Sequence, residues 1–293
     1  MKGSNQSKSL FLLLPAIIVF AVFVFYPIIY TIYLSFFDWN MISPNRDFVG
    51  FENYINLFTD PETVKVLTNT LVYILILVVM NFLVPYILAF TLHFVVPKFK
   101  DFFKSAFFLP SFISMVVGSI VYNWILNPTS GPVARLLSFV GMDLPNWSVS
   151  ENLVILVICY ITAWKVFGYN FITLYAEISG VDNEVIESAR LDNVPTWRIF
   201  KDIVGPMTSS TGLYVLIMAI VTGLQYVYTP ISNLTQGGPA GASTNLIYES
   251  YHNAFVLFDT GHSAALSVVT LLIFVVLLFI QMRVTERGVY YAN

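Results

Sequence analysis

The sequence predicts an all-α integral membrane protein with six transmembrane helices and a cytoplasmic helix between the fourth and the fifth. Hydrophobic residues make up 57% of the 293 residues and charged residues only 11%, whereas about a quarter of the residues in a typical soluble domain are charged. Six segments have the roughly 20 mostly apolar residues that a helix needs to cross a bilayer. Between two of them lies a charged stretch with helical spacing, residues 184–206.

Loops of about 30 residues or fewer separate the spans, so we predict one transmembrane domain, residues 1–293, and no soluble domain. Pro110 and the other prolines inside spans predict bends, which membrane helices tolerate because neighbouring helices satisfy the freed backbone groups. The predicted spans are residues 10–37, 71–96, 105–126, 153–176, 208–228 and 263–282, and the cytoplasmic loop is 177–207.

The distribution of basic residues predicts that both termini lie in the cytoplasm. Six spans place both termini on one side of the membrane, and cytoplasmic loops carry an excess of Lys and Arg. Arg46, Lys65 and Arg135 fall on the predicted outer side. The predicted inner side carries Lys2, Lys8, Lys98, Lys100, Lys104, Arg190, Arg198, Lys201, Arg283 and Arg287.

The first outer loop contains the aromatic-rich run FVGFENYINLF. Its apolar residues predict a helix at the membrane interface, although the same residues could instead pack against the ends of the spans. These residues are Phe48, Phe51, Tyr54, Ile55 and Phe58. In the third outer loop, the run LTQGGPAGAST has the clustered Gly and Pro residues of a tight loop.

Enzyme chemistry is not expected, and we predict neither catalytic nor metal-binding residues. The sequence has no GxxxxGK[ST] phosphate-binding motif, so the chain should not bind ATP through a P-loop. Its three histidines are scattered without partners at metal-ligand spacing. Cys159 lies inside the fourth predicted span and should be a buried apolar residue.

The charged stretch predicts two helices joined by a sharp corner. Asp182 and Asn183 are good helix starters, and the helix that follows should bury Val185, Ile186 and Ala189. Asn193 should end it in a left-handed conformation.

A second helix, about residues 195–203, should follow this corner. Pro195 suits its first turn. Trp197, Phe200 and Ile203 should form its apolar face, and the chain should then enter the fifth span through Gly205 and Pro206. Such an element suits a mechanical link, whereas the plainer alternative is a loop that only covers the bundle.

This stretch resembles the EAA motif of ABC importer permeases, whose pattern is E-A-A, three residues, G, nine residues and I-x-L-P. Ser188, Asn193 and Gly205 depart from that pattern, but Asn also tolerates the left-handed turn that Gly makes easy. The residues at the corresponding positions, with the spacing intact, are Glu187, Ser188, Ala189, Asn193, Ile203, Val204, Gly205 and Pro206.

The resemblance covers most of the chain. Runs such as YPIIYTIYLSFFDWN, FFLPSFIS and WILNPTSGP are similar to the carbohydrate-uptake branch of these permeases. It implies a transport subunit in a prokaryotic cell membrane, paired with a second permease, two copies of a cytoplasmic ATPase and an extracytoplasmic sugar-binding protein. ATP and Mg would bind to the ATPase, no cofactor to this chain, and no nucleic acid is implied.

The resemblance also implies where the ATPase docks. The motif helix would sit in a cleft of the ATPase, whose closure would rotate the spans between inward-open and outward-open states. The implied coupling residues are Glu187, Ser188, Ala189, Arg190, Asp192, Asn193, Ile203 and Pro206.

Polar residues inside the spans are candidates for a substrate path. Lys165 is a basic residue deep in a span, where a charge costs about 2.5 to 3.5 kcal/mol on insertion scales. It could line a sugar path, pair with a carboxylate or carbonyls of a partner subunit, or extend outward. The other candidates are Asn81, Trp164, Tyr169, Asn170, Gln225 and Tyr226, of which Asn81, Gln225 and Tyr226 could equally be interhelical contacts.

These patterns predict a sugar importer subunit, with an oligosaccharide as the expected cargo. Glycerol phosphate or an acidic sugar is the alternative, because Lys165 could complement an anion. A stand-alone secondary transporter would need a relay of ionisable residues across the membrane. The predicted spans offer Lys165 and, near an inner end, His93, so this class is disfavoured.

Overall fold

The structure is a computed structural model that describes the backbone of residues 3–288 and the side chains of residues 12–283 except residue 97. Lys2 and the side chains of Lys8 and Arg287, on which the predicted orientation partly rests, lie outside this description. The described chain is mostly helical, with one antiparallel hairpin of β1 (Phe37–Asp38) and β2 (Asp47–Phe48). Its helices are numbered α1 (Leu12–Leu34, in a helix that begins at Gly3), α2 (Glu52–Thr59), α3 (Pro61–Val95), α4 (Lys100–Phe112), α5 (Met115–Ile125), α6 (Pro132–Ser138), α7 (Glu151–Ser179), α8 (Asn183–Leu191), the short α9 (Thr196–Arg198), α10 (Ser209–Thr235), α11 (Leu246–His252) and α12 (Thr260–Gly288).

Five described helices are long and apolar enough to cross a membrane, and a bent pair would make six if it counts as one span. The five are α1, α3, α7, α10 and α12, the last as Thr260–Arg283. Several contain π-helical turns, and α3 has two, at Val79–Leu83 and Thr91–Val95. The composition therefore predicted the number of apolar segments well.

The predicted span at residues 105–126 is not one continuous helix. It divides into α4 and α5, which meet at 105°. Pro110 lies in a 3₁₀ turn at the end of α4, and Ile113 then takes an extended conformation with ψ of 135°. Proline removes a backbone donor and clashes with the preceding turn, so the helix ends here instead of bending slightly.

The second predicted span begins earlier than expected, at Pro61 instead of residue 71. The Asp60 carboxylate accepts hydrogen bonds from the backbone N–H and the hydroxyl of Thr63, both at 2.9 Å. These bonds lower the pKa of Asp60 below its usual value. An N-cap followed by proline starts a helix regardless of how polar its first turns are.

The described chain divides into two compact units: the part up to residue 64 with residues 249–272, and residues 65–248 with the part from residue 273 onwards. In the first unit, the Asn53 side chain donates to Ser35 O and Phe37 O, and the Ser35 and Tyr54 hydroxyls lie 2.6 Å apart. The helix predicted in FVGFENYINLF is confirmed from Glu52 onwards as α2, whereas Phe48, which was expected to belong to it, lies in β2. Tyr54 packs inward, whereas Phe48, Phe51, Ile55 and Phe58 are exposed.

In the second unit, α7 contacts α3, α4, α5 and α10. One core cluster surrounds Tyr73, Ile158 and Leu224, and Cys159 belongs to it. The prediction that Cys159 is a buried apolar residue is therefore confirmed. A second core cluster, built around Phe90, Phe171 and Ile178, supports the charged stretch.

The glycine-rich run at residues 236–245 also belongs to the second unit, and α3 holds it in place. Its carbonyls at Ala240, Gly241 and Ser243 accept hydrogen bonds from Lys65 Nζ (2.9 Å), Asn69 Nδ2 (3.0 Å) and the Tyr73 hydroxyl (2.9 Å), respectively. The run is therefore tied down along its length.

Candidate functional site

The charged stretch forms a capped helix, α8, as the sequence predicted. The Asp182 carboxylate accepts a hydrogen bond from the Glu184 backbone N–H at 2.9 Å. Glu184 lies in the first turn and Arg190 in the last, where each charge favours the helix dipole. The helix start predicted at Asp182 and Asn183 is confirmed.

The corner after α8 is a Schellman motif. Asn193 has a φ of +57°, which confirms the predicted left-handed stop. The Asn193 N–H donates to Arg190 O and the Val194 N–H to Ala189 O, both at 3.0 Å. These two bonds satisfy carbonyls that a helix end leaves free. The corner is thus set by backbone hydrogen bonds and one unusual dihedral angle.

The inner face of α8 packs into the core cluster around Phe90. Ile186 and Ala189 are buried there, so Ala189 faces the bundle and not the water. The prediction that Val185 shares this face is wrong, because Val185 is 42% exposed. One helical step of about 100° turns it away from the stripe at Ile186 and Ala189. Glu187, Ser188 and Asp192 form the exposed side.

The second helix of the stretch differs from its prediction. Only Thr196–Arg198 is α-helical, and a π-helical turn follows at Ile199–Val204. Trp197, expected on the buried face, is 60% exposed, and its ring lies beside Arg198. The buried stripe begins only after Trp197, with Ile199 and Val204 fully buried, Phe200 and Ile203 packed against the same core and Pro206 exposed.

Polar contacts join the charged stretch to α3. Arg190 Nη2 donates to Phe94 O at 2.6 Å, and Phe94 lies in the last turn of α3. The Tyr86 and Thr208 hydroxyls are also hydrogen-bonded. A force on α8 would therefore reach α3 through Arg190 as well as through the apolar core.

Lys165 binds its own chain. Its Nζ donates to Ser111 O at 2.9 Å and Ile113 O at 2.6 Å, both at the bend between α4 and α5. The same Nζ lies 5.6 Å from the centre of the Tyr226 ring. Sequence reasoning considered carbonyls of a partner subunit but not these, which lie more than 50 positions away in the sequence.

The other path candidates divide into buried and exposed groups. Asn81 and Asn170 are buried, and Asn170 Nδ2 donates to Asn81 O at 2.8 Å. Trp164 is half-buried and packs edge-on against Tyr122. Asn170 and Trp164 therefore connect helices, whereas the buried side-chain amide of Asn81 makes no hydrogen bond within the described residues.

Three candidates face outward. Tyr169, Gln225 and Tyr226 are exposed, the first on α7 and the others on α10. Their amide and phenol groups are uncharged. This set can offer hydrogen bonds and aromatic faces to a polar ligand.

Sequence reasoning missed an apolar cavity of about 500 Å³ beside the bend. Nothing in the pattern of the spans signalled it, because its lining comes from three separate helices. The lining is Met80, Val84, Ala106, Phe107, Pro110, Tyr160, Ala163, Trp164 and Phe167. In the described part of the chain, no group of His, Cys, Asp or Glu could hold a metal ion.

Two comparisons find relatives over nearly the whole chain, whereas no family model matches it. YurN, a probable ABC transporter permease protein of Bacillus subtilis (strain 168), is 33% identical over 288 residues, covering 97% of this chain and 98% of YurN. UgpA, an sn-glycerol-3-phosphate transport system permease protein of Escherichia coli (strain UTI89 / UPEC), is 26% identical over 282 residues, covering 96% and 94%.

Solved structures share the fold. A chain of a bacterial ABC transporter involved in the import of the acidic polysaccharide alginate superposes with a TM-score of 0.80 at 22% identity, covering 97% of this chain and 96% of that one. A bacterial alginate ABC transporter in complex with alginate pentasaccharide-bound periplasmic protein gives 0.80 at 21% identity, covering 98% of both chains.

Proposed function

We propose that this chain, which belongs to the ABC transporter permeases, is a membrane subunit of an ATP-driven importer for a sugar that a binding protein delivers. The observation that carries the proposal is the cornered helix α8, with its inner face in the permease core and its acidic side exposed. A rigid helix held at both faces would pass the closing motion of an ATPase to the spans.

The proposed assembly follows the family pattern. We expect one domain of six spans, with the bent pair α4 and α5 as the third, and both termini and residues 177–207 in the cytoplasm. A second permease completes the path, two ATPase subunits bind ATP and Mg, and a binding protein docks outside. Membrane lipid surrounds the chain, in the cell membrane of a prokaryote.

The proposed ATPase contact is the exposed side of α8 and the corner beyond it. Glu187, Ser188 and Asp192 would touch the ATPase. The other residues of the motif would position them, since Ala189 packs inward, Arg190 binds Phe94 O and Asn193 shapes the corner. Ile203 and Pro206 would carry the motion towards α10.

An oligosaccharide is the proposed cargo. Sugar rings stack on aromatic faces and their hydroxyls pair with amides and phenols, which Tyr169, Gln225 and Tyr226 supply. Glycerol phosphate or an acidic sugar is the second candidate, because UgpA belongs to an sn-glycerol-3-phosphate transport system and the structural neighbours to alginate transporters.

Uptake into proteoliposomes tests the proposal. The chain, its partner permease and the ATPase are reconstituted with the binding protein and a panel of neutral and acidic oligosaccharides and glycerol phosphate. We expect ATP-dependent uptake of a neutral oligosaccharide, and only background hydrolysis without the ATPase. Robust ATP hydrolysis by the two permeases alone, or no uptake of any sugar, would contradict the proposal.

The variant Glu187→Lys tests the docking surface. Glu187 is exposed, so its reversal should barely affect folding, whereas a reversed charge inside an interface can cost several kcal/mol. We expect the variant to pair with the second permease but to lose the ATPase in a pull-down. Glu52→Lys in α2 is the matched control, and equal ATPase binding by both variants would exclude this surface.

A further inference from the structure

We infer that Lys165 is a clamp that fixes the bend between α4 and α5 to α7, so that the bend and α7 move as one body during transport. Lys165 is thus a positioning residue, not a contact for cargo. The inference rests on the proposed transport function for its uptake measurement, whereas its distance measurement stands independently.

The bend leaves carbonyl groups that need partners. After Phe112 the chain is extended at Ile113, so the helical hydrogen-bond pattern is interrupted there. Inside a bilayer no water is available for a freed carbonyl. Lys165 Nζ donates to two such groups, Ser111 O at 2.9 Å and Ile113 O at 2.6 Å. A cation also suits the negative end of the α4 dipole.

The contact is reciprocal. While the Lys165 side chain binds the backbone of the bend, the Ser111 hydroxyl donates to Lys165 O at 3.1 Å. Lys165 therefore uses one side-chain donor and one backbone carbonyl, and the bend uses one side-chain donor and two backbone carbonyls. Such an arrangement fixes position along the helix as well as distance, because sliding by one turn would break every bond.

Close packing on both sides of Lys165 supports the clamp. On the α4 side, a Cβ at Gly168 would lie 2.0 Å from Phe107 O, so only glycine allows this approach of the two backbones. On the α5 side, a Cβ at Gly118 would lie 3.3 Å from the Trp164 ring. Residues 164–168, about one turn of α7, thus pack closely against both α4 and α5.

A distance measurement across the bend tests the clamp. Spin labels at Phe102→Cys on α4 and Ile120→Cys on α5, both exposed positions, report the bend in the assembled complex when Cys159→Ala and cysteine-free partner subunits are used. We expect Lys165→Met to broaden or shift the distance distribution and Lys165→Arg to restore it. Lys98→Met, the same change at an exposed lysine, should leave it unchanged.

Uptake separates the clamp from cargo binding. We expect Lys165→Met to reduce uptake of every cargo that the wild type accepts roughly tenfold or more, the loss expected for one charge-assisted hydrogen bond. An unchanged distance distribution in Lys165→Met overturns the clamp, and loss of acidic cargo alone would then assign Lys165 to the substrate. If the wild type takes up no sugar, the proposed function fails while the distances still decide the clamp.

A milder variant covers the case in which Lys165→Met fails to assemble. Ser111→Ala removes only the hydroxyl bond to Lys165 O. We expect the assembled Ser111→Ala complex to show a smaller broadening in the same direction. If Lys165→Met does not assemble and Ser111→Ala has the wild-type distribution, the clamp is overturned.

Discussion

Replacing Asn193 by valine should open the corner at the end of α8. Asn193 has a φ of +57°, a left-handed conformation that costs most residues about 1–2 kcal/mol and that asparagine adopts more easily. Asparagine tolerates this region better than most residues, whereas a β-branched residue there is a genuine outlier. A destabilisation of about 1–2 kcal/mol changes an opening equilibrium roughly 5- to 30-fold.

Hydrogen exchange of the assembled complex measures this effect where it occurs. The Asn193 and Val194 amides donate to Arg190 O and Ala189 O, so both should exchange faster in Asn193→Val by that factor. Amides in the middle of α7 should not change. Uptake should fall together with the loss of protection, because the corner orients the proposed docking helix.

Asn193→Gly is the matched control, since glycine adopts a positive φ without strain. We expect wild-type protection, or slightly more. If glycine harms the corner as much as valine does, the Asn193 side-chain amide matters for its own contacts and the conformational argument fails. Wild-type exchange in Asn193→Val would refute it as well.

Three further predictions concern helix ends and packing. Arg190→Gln removes the bond to Phe94 O. The opening free energy of the last turn of α3 should fall by about 1 kcal/mol, so the last amides of α3 should exchange faster. Unchanged exchange would show that this bond does not couple the helices. Ala189→Trp overfills a buried site and should cost about 1–3 kcal/mol or more, so co-purification with the partner permease should fall, whereas loss of the ATPase alone would indicate that Ala189 faces outward. The lowered pKa of Asp60 means that its cap stabilises α3 above the unfolded-state pKa near 3.8, and this stability is lost as pH falls from there through the lower folded-state pKa. Protection of the Thr63 amide, which is its exchange rate relative to the intrinsic rate at the same pH, should therefore fall in acid, and an Asp60→Ala variant should lack this fall.

Local chemistry made parts of the charged stretch predictable. A carboxylate before a helix and an asparagine after it act through backbone groups only a few residues away, so Asp182 and Asn193 could be assigned from their neighbours alone. The apolar segments could be found because each one is long enough to cross the bilayer without help from the rest of the chain.

The partners of Lys165 could not be found in the same way. Ser111 O lies 54 positions away in the sequence, and the bend that frees this carbonyl depends on how Pro110 ends α4. Sequence reasoning treated Pro110 as a tolerated bend, whereas the chain leaves the helix completely. The role of Lys165 in α7 therefore depends on the end of α4 at Pro110, which lies in another predicted span.

The spacing of apolar residues also cannot show which face of a membrane helix is buried, since lipid-facing and core-facing residues are equally apolar. In α7, Ile158 and Ile161 are buried while the equally apolar Leu156 is exposed. Small residues are a better guide to close helix contacts. Gly168, which packs against the backbone at Phe107, is an example. Val185 and Trp197 were misplaced for a related reason, because an apolar residue near the membrane surface can remain exposed.

The hydrogen-bonded run at residues 236–245 has a practical consequence for topology mapping. By composition it looks like a flexible linker, an obvious place for an epitope tag. An added residue would move the Ala240, Gly241 and Ser243 carbonyls out of step with their three partners on α3. Gly141 is the better position, since its neighbours Val140 and Met142 are exposed and the backbone bonds there join residues only a few positions apart. Glycine content is thus a poor guide to where this chain accepts an insertion.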